Sequence, residues 1–168
     1  MLDLRVRTRS VWRPSLTRPR FERQVEAVLR ASGWAPGRDL GPEADAWIQE
    51  AAAAGSWAAT EGVATIVHEF GGLLIGQAGA GLTMARQRVV VDPRRGTYVA
   101  DDTGEYETVI GHSIFPVGEE ADGQYVLAMA ANGSVFAIGP WLTQLGQDWD
   151  EAVSNLVLGR RGSRLPDI

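Results

Sequence analysis

The amino-acid sequence predicts an α+β fold, a single domain in which helices flank a mostly antiparallel central sheet. Its 168 residues, 45% of them hydrophobic, are sufficient for one core. Apolar residues recur at helical spacing before residue 71 and again after residue 148, whereas short runs of β-branched and aromatic residues occupy the region between. Because helices come first, strands follow and a helix ends the pattern, we expect helices packed on a sheet.

The first predicted helix begins near residue 21 and ends in a clear stop signal. Its apolar residues follow helical spacing: Phe21, Val25, Val28 and Leu29. Gly33 suits the left-handed position past the helix end, which places Trp34 where a Schellman motif packs a hydrophobic residue against Leu29. Pro36 then prevents the helix from resuming. The stretch therefore predicts a helix stop with an indole anchor.

Three further segments are predicted helices. "PEADAWIQEAAAAGSW" has Pro42 suited to a helix start and Gly55 to its end. "WAATEGVATIVHEF" is stopped by the glycines that begin at Gly71. "GQDWDEAVSNLVLGRR" can be capped by Asp148, with Glu151 completing a capping box.

Five short segments are predicted strands because β-branched and aromatic residues fill them and turn-forming residues separate them. They are "LLIGQA", "LTMARQRVVVD", "TYVA", "QYVLAMAA" and "SVFAIG". Asn132-Gly133 between the last two is a strong hairpin signal. "GQAGAG", residues 76–81, lacks the Gly-Lys-Ser/Thr ending of a phosphate-binding loop and precedes a predicted strand, so we interpret it as a tight turn.

Charge is unevenly distributed along the chain. The net charge is −5, but residues 1–38 carry nine arginines against three acids, and residues 39–158 carry four arginines against seventeen acids. We divide the chain into an Arg-rich N-terminal strand or arm at residues 1–20, a domain at residues 21–159 and a short C-terminal tail at residues 160–168. An acidic body disfavours direct nucleic-acid binding and favours a basic partner.

Composition also limits the chemistry and the location. Cysteine is absent, which excludes disulfides, thiolate zinc sites and cysteine nucleophiles. The N-terminus lacks the apolar region of a signal peptide, and no apolar run is long enough to cross a membrane. We therefore expect a cytoplasmic protein without a membrane partner.

Neither histidine lies in a catalytic or metal-binding pattern. "HEFGG", residues 68–72, begins like a zinc-protease helix, but glycines stand where the second histidine would fall. We therefore interpret His68 as a core or capping residue. His112 has Ser113 beside it without a Gly-x-Ser-x-Gly elbow, and adjacent residues of a strand point to opposite faces. The sequence predicts no metal and no cofactor.

Acidic residues cluster in two predicted loops. The first group is Asp101, Asp102, Glu105 and Glu107, and the second is Glu119, Glu120 and Asp122. Carboxylates of the first group could serve acid-base chemistry or bind a hard cation, but no EF-hand spacing accompanies them. We favour a solvated or partner-facing surface, with Tyr106 as an aromatic anchor at the centre of a charged rim.

Six strings carry a family resemblance: "VLRASGWAPGRDL", "HEFGGL", "VVVDP", "VIGHSIFPVG", "YVLAMAANGSVFAIG" and "LGQDWDEAVSNLVLG". They resemble the SUKH family of bacterial immunity proteins, specifically its third subgroup, from about Phe21 to Gly159. The structural signature comprises Gly33, Trp34, Pro36, Gly37, Arg38, Gly71, Gly72, Pro116 and Gly118. The resemblance implies an α+β domain and a cytosolic antidote that neutralises a toxin domain, often one that attacks nucleic acid. It implies no catalytic residues.

Three functions are consistent with these observations. The first is an immunity protein that occludes the active cleft of a toxin acting on nucleic acid, with both acidic groups and Tyr106 contacting the toxin as a phosphate mimic. The second is a small hydrolase that uses carboxylates of residues 101–107, which would require two buried acids facing one pocket. The third is an intracellular adaptor with a non-toxin partner.

Overall fold

Residues 19–166, which the computed structural model describes, contain three helices, a strand region with one helix inside it, a last helix and a final strand. The helices are α1 (Arg23–Ala31), α2 (Pro42–Gly55), α3 (Glu61–Phe70), α4 (Thr103–Ile110) and α5 (Trp149–Leu158), with a 3₁₀ helix at Pro93–Asp102. The strands are β1 (Leu74–Ile75), β2 (Val89–Val90), β3 (Ile114–Glu120), β4 (Tyr125–Ala130), β5 (Val135–Ile138), β6 (Thr143–Gly146) and β7 (Ser163–Arg164). The predicted α+β class is confirmed. The predicted N-terminal strand or arm lies outside the described residues up to residue 18.

The four helices predicted from the sequence are all present. α2 begins at Pro42 and ends at Gly55, as predicted. The carboxylate of Asp148 caps α5 by accepting the Glu151 N–H at 2.8 Å. Glu151 departs from an ordinary capping box, because its carboxylate accepts the N–H of Gln147 at 2.7 Å instead of that of Asp148.

The end of α1 is the predicted Schellman motif. Gly33 has a φ of 97°, its N–H donates to the Arg30 carbonyl, and the Trp34 N–H donates to the Leu29 carbonyl, each at 3.0 Å. The Trp34 ring is only 5% exposed and stacks on Phe70 with the ring centroids 6.1 Å apart. Its Nε1–H donates to the Glu69 carboxylate at 2.9 Å. The helix stop therefore places the Trp34 indole in the core, with its N–H hydrogen-bonded.

The sheet is an antiparallel meander in which every strand pairs with its neighbour in sequence, in the order β1 to β7. The Asn132-Gly133 turn joins β4 to β5, as predicted, and the Asn132 side chain accepts the Ser134 N–H at 3.0 Å. β7 lies in the segment that we assigned to a C-terminal tail, and it pairs with β6. The described part of the tail therefore extends the sheet.

Helical layers cover both faces of the sheet. Val126 and Met129 of β4 point to opposite faces because they are three residues apart. The backbone of Gly62 in α3 lies against the Met129 sulfur, whereas Gly96 of the 3₁₀ helix lies against Val126. On the α3 side, Phe70 contacts both Trp34 and Trp149, so one aromatic cluster joins α1, α3 and α5.

The prediction of a strand at "TYVA" is wrong, because this segment lies in the 3₁₀ helix. Asp92 caps this helix by accepting the Arg94 N–H at 3.0 Å, and Pro93 fits its first turn. A Cβ on Gly96 would lie 2.6 Å from the Pro116 Cβ and 2.8 Å from the Val126 Cγ1. A helix can pack this closely on the sheet only because Gly96 has no side chain, and this tertiary contact overrides the strand propensity.

The prediction of a tight turn at "GQAGAG" is also wrong. β1 and β2 are only two residues long, and the connection between them contains a single bridge between Gly79 and Arg86. Within this connection, the N–H of Leu82 donates to the Leu158 carbonyl, and the N–H of Met84 donates to the Gly159 carbonyl. The connection therefore satisfies carbonyls at the C-terminal end of α5, which a tight turn could not reach.

Other signature residues hold the end of α3 and the centre of the sheet. The Arg38 guanidinium donates to the carbonyls of Glu69 and Gly71, each at 2.7 Å, and so ties the α1–α2 connection to α3. Pro116 and Gly118 flank a register shift in β3. β2 pairs with β3 only beyond this point, so Pro116 needs no N–H for that ladder.

His68 is neither the core residue nor the cap that we expected. Its ring is half-buried, with Nδ1 2.6 Å from an Asp39 carboxylate oxygen and Nε2 3.0 Å from an Asp45 carboxylate oxygen. These two hydrogen bonds, first Asp39 and then Asp45, raise the pKa of His68. The side chain therefore joins α3 to α2 and to the α1–α2 connection.

Replacing the buried indole should destabilise the whole fold. Trp34→Ala removes the stack on Phe70 and one of the two donors to the Glu69 carboxylate, the other being Arg20, so we expect a loss of about 3–5 kcal/mol in the free energy of unfolding. Trp141→Ala is the matched control, because Trp141 is 48% exposed. Chemical denaturation of the two variants measures the difference, and an unchanged stability for Trp34→Ala would contradict its role as an anchor.

The His68 hydrogen bonds should make stability depend on pH. Because folding raises the pKa of His68, its contribution is complete below the unfolded value of about 6.5 and is lost as the pH rises through the higher folded value. Solvent screening keeps the effect small. Denaturation of wild type and His68→Gln at about pH 5.5 and pH 8.5 should give a larger stability difference at the lower pH. An equal difference at both would refute this linkage, and His112→Gln, an exposed histidine, provides the control.

Candidate partner-binding surface

The first acidic group lies at a helix start, and not in the loop that we predicted. Asp101 and Asp102 end the 3₁₀ helix, and Glu105 lies in the first turn of α4. All three side chains are exposed, and none makes a hydrogen bond or ion pair with any residue that the structure describes. Three free carboxylates therefore lie within five residues of chain and give this surface a negative potential.

Glu107, the fourth member of this group, has a structural role. Its half-buried carboxylate accepts the N–H of Ile114 at 2.9 Å. This hydrogen bond joins α4 to the first residue of β3. Glu107 is therefore engaged within the fold, unlike its three acidic neighbours.

Tyr106 lies beside the free carboxylates and is half-buried. Burial raises the pKa of its hydroxyl, and the charges of Asp102 and Glu105 raise it further. Tyr106 lines a groove of about 400 Å³ together with Gly139, Pro140, Trp141, Leu142, Arg164 and Pro166. The Trp141 ring is exposed, with the Arg164 guanidinium 5.2 Å above its centroid. Acidic side chains and two aromatic rings thus occupy neighbouring positions.

The second acidic group is mostly buried, which corrects the prediction of a second loop. Glu119 and Glu120 are the last residues of β3 and are 8% and 6% exposed. β3 has β2 on one side and β4 on the other up to its last residue, and these two adjacent side chains point to opposite faces of the sheet. Glu119 accepts a hydrogen bond from Arg95 at 2.7 Å. Only Asp122, in the following turn, is exposed, and it forms an ion pair with Arg88 at 2.5 Å.

Tyr98, which no sequence motif marks, lies beside the second acidic group. Its hydroxyl donates to the Gly123 carbonyl at 2.8 Å, next to Asp122. Burial raises the pKa of Tyr98, and the charges of Glu119 and then Tyr106 add to the effect. The ring therefore lies within electrostatic range of both groups. The sequence did not reveal this position, because Tyr98 lies in the segment that was predicted to be a strand.

We call this region the acidic-aromatic surface; it comprises the exposed Asp101, Asp102, Glu105 and Trp141 together with the half-buried Tyr106. Its chemistry suits binding, because free carboxylates attract basic groups and aromatic rings supply contact area. A hydrolase would need two buried acids of residues 101–107 facing one pocket, but three of these four acids are exposed and Glu107 is bound to β3. Within residues 19–166, no group of three or more candidate ligands could hold a metal ion.

Comparisons with known proteins give one match. Residues 21–159 match the family model described as SUKH-3 immunity protein. Neither curated proteins nor solved structures gave a match. None of the helices within residues 19–166 combines the length and apolar character needed to cross a membrane.

Proposed function

Because the chain belongs to the SUKH-3 immunity protein family, we propose that it neutralises its cognate toxin by placing the acidic-aromatic surface over the toxin's active cleft. Family membership implies a toxin partner. The observation that carries the proposed binding mode is the set of three free carboxylates on Asp101, Asp102 and Glu105, next to Tyr106. They have no partner among the described residues, so no internal ion pair must break before a toxin binds.

The acidic-aromatic surface has the composition of a typical protein–protein interface. Tyr and Trp are the residues that most often dominate binding energy, and charged residues around them steer association. Tyr106 and Trp141 line one groove, and the charges of Asp102 and Glu105 reach Tyr106. We infer that the aromatic rings contribute most of the binding free energy and that the carboxylates increase the association rate.

The charge also favours one kind of toxin. Enzymes that bind nucleic acid present basic clefts to phosphate, and residues 39–158 of this chain carry seventeen acids against four arginines. We propose a toxin that acts on nucleic acid, with the carboxylates of α4 in the place of phosphates. The antidote would act in the bacterial cytoplasm, by occlusion and without catalysis of its own.

A toxin partner and a non-toxin partner are distinguished by one experiment. The C-terminal domain of a large secreted protein encoded beside this chain should co-purify with it and lose its toxicity. An adaptor with a different partner would leave that domain free and active.

The free carboxylates should accelerate association with that toxin domain. Replacing Asp102 and Glu105 with Arg should slow association about ten-fold or more at an ionic strength of about 0.01 M, because long-range attraction becomes repulsion. The effect should shrink at about 0.15 M, where the screening length falls to about 8 Å. Stopped-flow association rates at the two ionic strengths provide the measurement.

The matched control reverses two exposed acids elsewhere. Glu43 and Glu61 lie in the first turns of α2 and α3, so Glu43→Arg with Glu61→Arg changes the same charge at comparable helix positions. We expect this control to change the rate by less than about two-fold. Equal rates for the α4 variant, the control and wild type at every ionic strength would exclude α4 from the toxin-binding face.

A further inference from the structure

A second cavity adjoins the acidic-aromatic surface. It measures about 530 Å³, and its lining includes Met84, Glu120, Tyr125, Trp141, Arg161 and Arg164. We call it the sheet-end cleft. Trp141 and Arg164 also line the Tyr106 groove, so the two cavities are adjacent.

The sheet itself forms part of this cleft. Glu120 is paired with Tyr125, and Ala137 is paired with Thr143, so each pair shares one face of the sheet. All four residues line the cleft. Tyr125 packs closely on the backbone of Gly139, which fixes the position of its ring. The sheet therefore forms one wall of the cleft.

Glu120 is the unusual residue of the cleft. It is 6% exposed, yet its carboxyl makes no hydrogen bond and no ion pair with any residue in the described part of the chain. Its neighbour Glu119 is similarly buried but is paired with Arg95. Burial removes most of the water around this carboxyl group and supplies no donor in exchange, which disfavours its charged form. Burial accordingly raises the pKa of Glu120.

The lining defines the chemistry of a suitable ligand. Met84, Tyr125 and Trp141 offer apolar surface for the methylene groups of a long side chain, and Glu120 offers an acceptor for a cationic head. Arg161 and Arg164 also line the cleft and would repel an isolated cation. A polypeptide resolves this conflict, because a backbone carbonyl can accept from Arg161 while its basic side chain reaches Glu120.

We propose that the sheet-end cleft receives an arginine or lysine side chain from the toxin, with Glu120 as its counter-ion. This inference rests on the proposed function and adds a specific contact to it. The unpartnered carboxylate provides charge complementarity to a basic toxin, and the adjacent Tyr106 groove allows one partner to cover both.

The chemistry can be tested with a peptide probe. Full-length protein labelled with ¹⁵N is titrated with acetyl-Gly-Arg-Gly-amide and, in parallel, with the peptide in which neutral citrulline replaces arginine. The arginine peptide should shift the Trp141 indole N–H and the Tyr125 and Ala137 amides saturably. Glu120→Gln should weaken this binding about ten-fold, the scale of one charged hydrogen bond, and Glu61→Gln, an exposed acid elsewhere, should leave it unchanged.

Several outcomes would overturn the proposal. Equal binding of the citrulline peptide, or full binding by Glu120→Gln, would show that Glu120 does not select a cation. Loss of binding in Glu105→Gln alone would place the peptide on α4 instead. If Glu120→Gln fails to fold, Ala137→Leu, which fills the cleft from the same sheet face, should abolish the shifts, and retained shifts would refute the site.

Binding to the toxin domain tests this inference separately from the proposed function. Glu120→Gln should raise the dissociation rate about ten-fold at any ionic strength, whereas the Asp102 and Glu105 reversals act on association. Toxin binding that is insensitive to Glu120→Gln would overturn the cleft contact alone. Absence of any toxin binding would overturn both proposals.

Discussion

The stack of Trp34 on Phe70 is the contact on which the rest of the structure depends. It joins α1 to α3, and Phe70 in turn contacts Trp149 of α5, so three helices become one layer. The layer is positioned from both ends, because the Schellman motif fixes Trp34 and Arg38 holds the carbonyls after α3. This layer covers one sheet face and leaves the other face to the 3₁₀ helix and α4, whose junction carries the exposed acids.

The same packing decides which acids are available to a partner. At the end of β3, Glu119 and Glu120 are buried, and Glu119 is paired with Arg95 of the 3₁₀ helix. At the junction of the 3₁₀ helix and α4, Asp102 and Glu105 are exposed to water. The number of acidic residues does not distinguish the two groups, but their positions in the fold do. The first group is exposed and can steer the association of a partner, whereas the second holds buried carboxylates that can pair with a cation.

The local features of the sequence were predictable, and the features set by distant contacts were not. Gly33 and Trp34 form a helix stop within a few residues, and the Asn132-Gly133 turn is equally local. "TYVA" has strand propensity, but the contact of Gly96 with β3 and β4 selects a helix. Two consecutive acids before Ala-Asp-Gly are typical of a turn, and only the pairing of β3 with two neighbours shows that they are buried. The partner-binding role of either group is still a proposal.

The meander topology has a kinetic consequence. Because every strand pairs with the strand before or after it in sequence, β3, β4 and β5 can assemble through short loop closures, which cost little chain entropy. The aromatic cluster is different, since Trp34 and Trp149 come from opposite ends of the described chain. We therefore expect the hairpins to form early and the helical layer to close last. The aromatic cluster that completes the fold can form only after nearly the whole domain has been synthesised.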